Sequence, residues 1–183
     1  MGRLLAGVAA RVVDPETGVE RPPGVAGELL VRGPALFSEY HGDAAATAEA
    51  IDPDGWFHTG DMLVRHPSGA FSYEGRLKDM LKVGGENVAA AEIEDQLLTH
   101  PAVHLVAVVS APDGRHGEVA AAFVELRPGA AATEAELVAH CAAVMSSFKV
   151  PRYVRFVEEW PKSGTKIRKV ELRERIAGEL SAP

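Results

Sequence analysis

The fourteen residues from Gly75 to Val88 constrain this chain most tightly. They hold an arginine, two lysines beyond it and the adjacent glycines Gly84 and Gly85. A glycine pair allows a turn with positive φ and lets the backbone approach a ligand closely. Met80-Leu81-Lys82-Val83 reads as a short strand, and Asn87-Val88-Ala89 as its return. The expected product is a lysine-bearing hairpin with a bare backbone tip. Directly after it, Glu92-Ile93-Glu94 opens a helical pattern.

The helix is expected over residues 91–100. Ile93 and Leu97 lie four apart on one face, Glu92, Glu94 and Asp95 crowd the first turn, and Pro101 ends it. Val103 to Ser110 is a strongly apolar strand, Asp113 to Glu118 a loop, and Glu118 to Leu126 another strand. Thr133-Glu134-Ala135-Glu136 is a capping box that opens a helix to about Met145. Leu137, Cys141, Val144 and Met145 share one face of it, which makes Cys141 a core residue and not a nucleophile. Val154 to Val157 is a strand. Val170 to Leu180 is a closing helix with Leu172, Ile176 and Leu180 in line and Glu171 paired to Arg175. Helices interspersed with strands predict an open sheet with helices packed on it, an α+β domain.

The first seventy-odd residues read as short strands and turns. Val8 to Val13 and Glu28 to Gly33 are strands, and residues 14–18 and 21–24 are turn and loop by composition. Asp54 to Asp61 reads as a turn, two bulky aromatics and a second turn ending in a carboxylate. Met62 to His66 and Ala70 to Glu74 form a hairpin around Pro67-Ser68-Gly69.

Composition excludes several classes. At 183 residues the chain holds one domain or two small ones. The 46% hydrophobic and 25% charged fractions are those of a globular protein. No apolar run of about eighteen residues is present, so no membrane span is expected, and Met1 to Leu5 does not read as a signal peptide. One cysteine excludes internal disulfides and suits a reducing, cytoplasmic setting. Seven histidines lack ligand spacing, so no metal site is expected. A net charge of −7 argues against nucleic-acid binding. Yet residues 146–183 carry 9 basic and 5 acidic side chains, which fits contact with a phosphorylated ligand.

Gly75-Arg76, Lys78-Asp79, Leu81-Lys82, Gly84-Gly85 and Val88, followed by Glu92-Ile93-Glu94, resemble the hinge and loop motif of the adenylate-forming enzymes. That superfamily includes acyl-CoA synthetases, luciferases and peptide-synthetase adenylation domains. The chain departs from the motif at Ala90, where proline is usual. Gly55-Trp56 with Thr59-Gly60-Asp61 is similar to a second signature. Gly27-Glu28-Leu29, Gly33-Pro34, Tyr40 and Phe148-Lys149-Val150-Pro151 match further positions. Trp160 to Lys169, read as a flexible basic loop, resembles the catalytic-lysine motif. It is one residue short and has Thr165 in place of glycine. Downstream spacing favours Lys166 as that lysine, with Lys162 the alternative.

The resemblance implies two parts: residues 1–77, a β-rich terminal piece of a large AMP-binding domain, and residues 78–183, a small α+β lid. It implies that Asp61 binds the ribose hydroxyls of ATP or AMP and that Arg76 reaches the nucleotide. Lys78 and Asp79 fall at the hinge. Lys166 serves adenylation, and the loop of Lys82, Gly84 and Gly85 serves thioester formation with CoA. The implied reaction turns a carboxylic acid, ATP and CoA into acyl-CoA through an acyl-adenylate. The family's phosphate loop, acyl pocket and Mg2+-binding motif are absent from this sequence, so the chain alone is expected to be inactive. Three other readings stay open: a peptide-synthetase adenylation piece, a non-catalytic module that complements a separate N-terminal half, and a free-standing nucleotide-binding domain.

Overall fold

The computed structural model describes residues 2–181. The chain divides into two compact units, Met1–Lys78 and Asp79–Pro183.

The first unit is an antiparallel sheet in the order β1-β2-β3-β4, with one short helix. The strands are β1 (Ala9–Val13), β2 (Ala26–Arg32), β3 (Phe57–Arg65) and β4 (Phe71–Arg76), and helix α1 (Ala44–Ala50) precedes β3. Successive strand residues point to opposite faces, and the neighbours Val12 and Val13 are both buried. Val12 packs with Leu63 and Phe71. Val13 packs with Leu30 and Trp56. Each face of this sheet therefore has its own small core. Asp14 closes the first turn by accepting hydrogen bonds from the Glu16 and Thr17 N–H groups.

Two expectations need correction here. Thr59-Gly60-Asp61 is not a turn, because β3 runs unbroken through it as a bulge. Helix α1 was not expected, since its residues are mostly alanine with no apolar period and none is buried.

The second unit has a five-stranded sheet: β5 (Met80–Val83), β6 (Glu86–Ala89), β7 (Val103–Asp113), β8 (Gly117–Leu126) and β9 (Tyr153–Phe156). The order is β6-β5-β8-β7, and β9 lies parallel to β8. Helix α2 (Ala90–Leu98) follows β6, and α3 (Glu134–Ala142) lies in the crossover that a parallel β8–β9 pair requires. A hairpin of β10 (Lys162–Ser163) and β11 (Lys166–Ile167) leads into α4 (Lys169–Ser181). Residues Val119 to Val124 of β8 are buried without interruption, as in a strand covered on both faces. Ile93, Leu97, Phe123, Leu137, Cys141, Leu172 and Ile176 form one core around it. Each such side chain contributes about 1.5–3 kcal/mol of burial.

The capping box at Thr133 and Glu136 is present, but α3 stops at Ala142 and leaves Val144 69% exposed, off the apolar face. Residues 162–167, expected as a flexible loop, form the β10–β11 hairpin. Glu171 pairs with Arg168, and Arg175 with Glu179, instead of Glu171 with Arg175.

Candidate functional site

In the first unit the bulge in β3 creates the chemical geometry. Glu28 faces Met62 and Leu30 faces His58, so Leu29 alone stands opposite Thr59, Gly60 and Asp61. Gly60 takes φ +66°, which a side chain would strain. Thr59 Oγ1 donates to the Leu29 carbonyl at 2.8 Å and accepts the Asp61 N–H at 3.1 Å. Glu28, 5% exposed, accepts from the Gly60 N–H and the His58 Nδ1–H, both at 3.1 Å.

Asp61 then pairs directly with Arg76 across β3 and β4. Arg76 Nε lies 2.6 Å from Asp61 Oδ1. Oδ1 is buried against that guanidinium and accepts no aligned hydrogen bond among the described residues. The Asp61 side chain is nonetheless 26% exposed, so its open acceptor capacity lies on the other carboxylate oxygen. Arg76 is half exposed, and among the described residues Asp61 is the acid it pairs with. A carboxylate beside a planar cation suits a diol next to an anionic phosphate.

In the second unit, Gly84 (φ +60°) and Gly85 (φ +92°) form the two-residue β5–β6 tip. Positive φ at both central positions is the twist that such a hairpin demands. A Cβ on Gly84 would meet His116 at 3.5 Å, an ordinary contact, and one on Gly85 would meet nothing. Conformation, not crowding within this chain, therefore requires these glycines. The tip is anchored by the Gly84 N–H donating to the His116 carbonyl at 2.9 Å, and the Lys82 N–H donates to Glu118 at 3.1 Å. Its anchor is rigid in turn, since Asp113 accepts from the His116 and Arg115 N–H groups and from His116 Nδ1. Those bonds, the His116 N–H first, hold the Asp113 carboxyl down at about 2. Val83, His116, Phe148, Pro151 and Arg152 line a groove of about 380 Å3 beside the tip.

Lys166 is exposed on β11, directly after the two-residue tip Gly164-Thr165, in which Gly164 takes φ +60°. Its base is fixed at the start of α4, where Lys169 Nζ lies 2.7 Å from Glu94 Oε1. The same oxygen accepts the N–H of Val108 on β7 at 2.7 Å. Lys78 and Asp79 lie in a single 3-10 turn, Leu77–Asp79.

Of the expected site residues, Asp61 and Arg76 meet as a pair, and Lys82, Gly84 and Gly85 share one hairpin. Lys166 is carried by another. Glu28, Glu94 and Asp113 were not singled out as site residues. Glu28 and Glu94 accept from backbone brought close only by folding, whereas Asp113 accepts from the N–H groups two and three residues on, a local turn.

Residues 92–166 match the AMP-binding enzyme C-terminal domain, and residues 1–41 match the AMP-binding enzyme family. The ATP-bound MatB structure from Rhodopseudomonas palustris superposes with a TM-score of 0.87 at 36% identity, over 97% of this chain and 35% of that one. The chain belongs to the adenylate-forming superfamily. Other adenylate-forming relatives agree. The anthranilate CoA ligase AuaEII in complex with anthranoyl-AMP gives a TM-score of 0.87 at 32% identity, over 99% of this chain and 36% of its own. The medium-chain acyl-CoA ligase ACSF2 of Danio rerio is 42% identical over 93% of this chain and 28% of its own length. YngI of Bacillus subtilis (strain 168) is 43% identical over 95% and 32%. The chain thus spans about a third of these relatives.

Among the described residues no group of three or more His, Cys, Asp or Glu side chains is placed to hold a metal ion. No described helix is long and apolar enough to cross a membrane.

Proposed function

We propose that this chain is the C-terminal part of an ATP-dependent acyl-CoA ligase, with residues 1–77 completing the AMP-binding domain and residues 78–183 forming the lid. The observation that carries the reading is the Asp61–Arg76 pair, in which the guanidinium holds Oδ1 at 2.6 Å while both side chains stay partly exposed. In this reading Asp61 accepts from both ribose hydroxyls of ATP or AMP. Arg76 adds its charge on the phosphate side.

A carboxylate attacking the α-phosphorus of ATP brings anions together, and charge builds on the phosphoryl oxygens. The Lys166 ammonium offsets that charge. CoA then displaces AMP, with its narrow pantetheine arm passing the Gly84–Gly85 backbone beside Lys82. Lys78 and Asp79 supply the torsional freedom between the two half-reactions. Mg2+ and the carboxylic acid are held by the N-terminal body of the enzyme. The single cysteine fits a reducing, cytoplasmic compartment.

The isolated chain is expected to catalyse no ATP–pyrophosphate exchange and to regain it when joined to an N-terminal body. Robust exchange by the chain alone would contradict the reading.

A further inference from the structure

Among the described residues Glu28 is the one charged residue that is buried. Burying a carboxylate costs several kcal/mol unless each oxygen finds a donor. Here both oxygens are committed to a single short stretch of the neighbouring strand. Oε1 takes the Gly60 N–H and Oε2 takes the His58 ring N–H.

That stretch is where β3 leaves register with β2. The regular ladder cannot fix it, because Leu29 alone opposes three residues there. Thr59 Oγ1 ties one side of the bulge to the Leu29 carbonyl, and Glu28 ties the other. Asp61 is the next residue after Gly60, and its pairing with Arg76 is bounded on one side by this bulge and on the other by the unpaired Glu74 of β4.

We infer that Glu28 is a positioning residue: by gripping Gly60 and His58 it fixes the bulge and so sets the Asp61 carboxylate against Arg76. Ribose-diol selectivity then depends on a buried acid that touches no nucleotide. The inference rests on the reading of Asp61 as the ribose ligand.

The test uses the full, isotopically labelled chain. Glu28→Met fills the same space without an acceptor. Glu28→Gln can still accept from Gly60 and donate to His58. Without ligand, Glu28→Met is expected to speed amide exchange at Gly60 by about tenfold or more beyond any change at Leu63 and Val64. It should also shift the Asp61 Cγ and Arg76 Nε resonances, and Glu28→Gln should restore all three. Equal acceleration at Gly60, Leu63 and Val64 with unmoved Asp61 resonances overturns the inference. Should Glu28→Met not fold, His58→Leu releases only the Oε2 contact and must move the Asp61 resonances; unmoved resonances overturn it there too.

In a second arm, AMP and 2′,3′-dideoxy-AMP are titrated into each variant. Glu28→Met is expected to shrink the preference for AMP, and Glu28→Gln to recover it. A preference that is absent, or that survives Asp61→Asn, removes the ribose reading. The ligand-free resonances then decide the role of Glu28 by themselves.

Discussion

Arg76 Nε stands 2.6 Å from Asp61 Oδ1 across two adjacent strands, yet that buried oxygen accepts no aligned hydrogen bond. Arg76 holds that oxygen in place, and the side chain, 26% exposed, leaves its other oxygen for hydroxyl donors. Asp61→Asn removes the charge and should weaken AMP binding by about tenfold to a hundredfold, since hydrogen bonds to charged groups contribute roughly 1.5–3 kcal/mol. Binding of 2′,3′-dideoxy-AMP should change little. Isothermal titration of both nucleotides checks this, and equal losses for both would remove the ribose assignment.

The Asp113 carboxyl is held at about 2, against an ordinary value of 3.8, chiefly by the His116 and Arg115 N–H groups. A lowered carboxylate favours the folded state above its unfolded value and loses that contribution as the pH falls through about 2. Asp113→Asn should therefore be less stable than the parent at pH 5, with the gap closing between pH 4 and 2. Urea titrations across that range measure it. A gap that widens on acidification would contradict the assigned bonds.

Cys141 is fully buried, and desolvation pushes its thiol up to about 11. The thiolate is the reactive form. Folded protein at pH 8 should resist iodoacetamide and react fully after denaturation. Rapid alkylation of the native chain would show that α3 opens readily.

Much of the second unit was legible because its signals are local. Positive φ at Gly84 and Gly85 follows from a glycine pair between short strands, and the Thr133 capping box is written in four residues. The strongly apolar run from Val103 to Ser110 marks β7. The β10–β11 hairpin was not legible, since two-residue strands carry no periodicity. Helix α1 lacked an apolar period, although its alanines favour a helix and Asp43 caps it. In the first unit Asp61 and Arg76 were each marked by motif, but their pairing depends on strand register, which shifts twice near them, at the β3 bulge against β2 and at Glu74 of β4. Glu28 was unreadable as a brace, because an acid at an alternate strand position looks like any exposed one until its neighbour strand is placed.

Ile93 and Phe123 are each fully buried in the second unit's core. Ile93→Ala should cost about 2–5 kcal/mol and Phe123→Ala about 3–5 kcal/mol. Chemical denaturation monitored on resonances of that unit checks both. Values below 1 kcal/mol would mean the sheet and helices are loosely packed.

The division of labour between Lys166 and the Gly84 tip is the central claim. It is tested most directly in a chimera in which this chain replaces the matching third of Rhodopseudomonas palustris MatB. Adenylation is read by ATP–pyrophosphate exchange, and thioester formation by single-turnover transfer from preformed acyl-adenylate. The account predicts that Lys166→Ala lowers adenylation by about a hundredfold to a thousandfold and spares thioester formation, while Gly84→Val does the reverse. Equal losses in both half-reactions for either variant would contradict it.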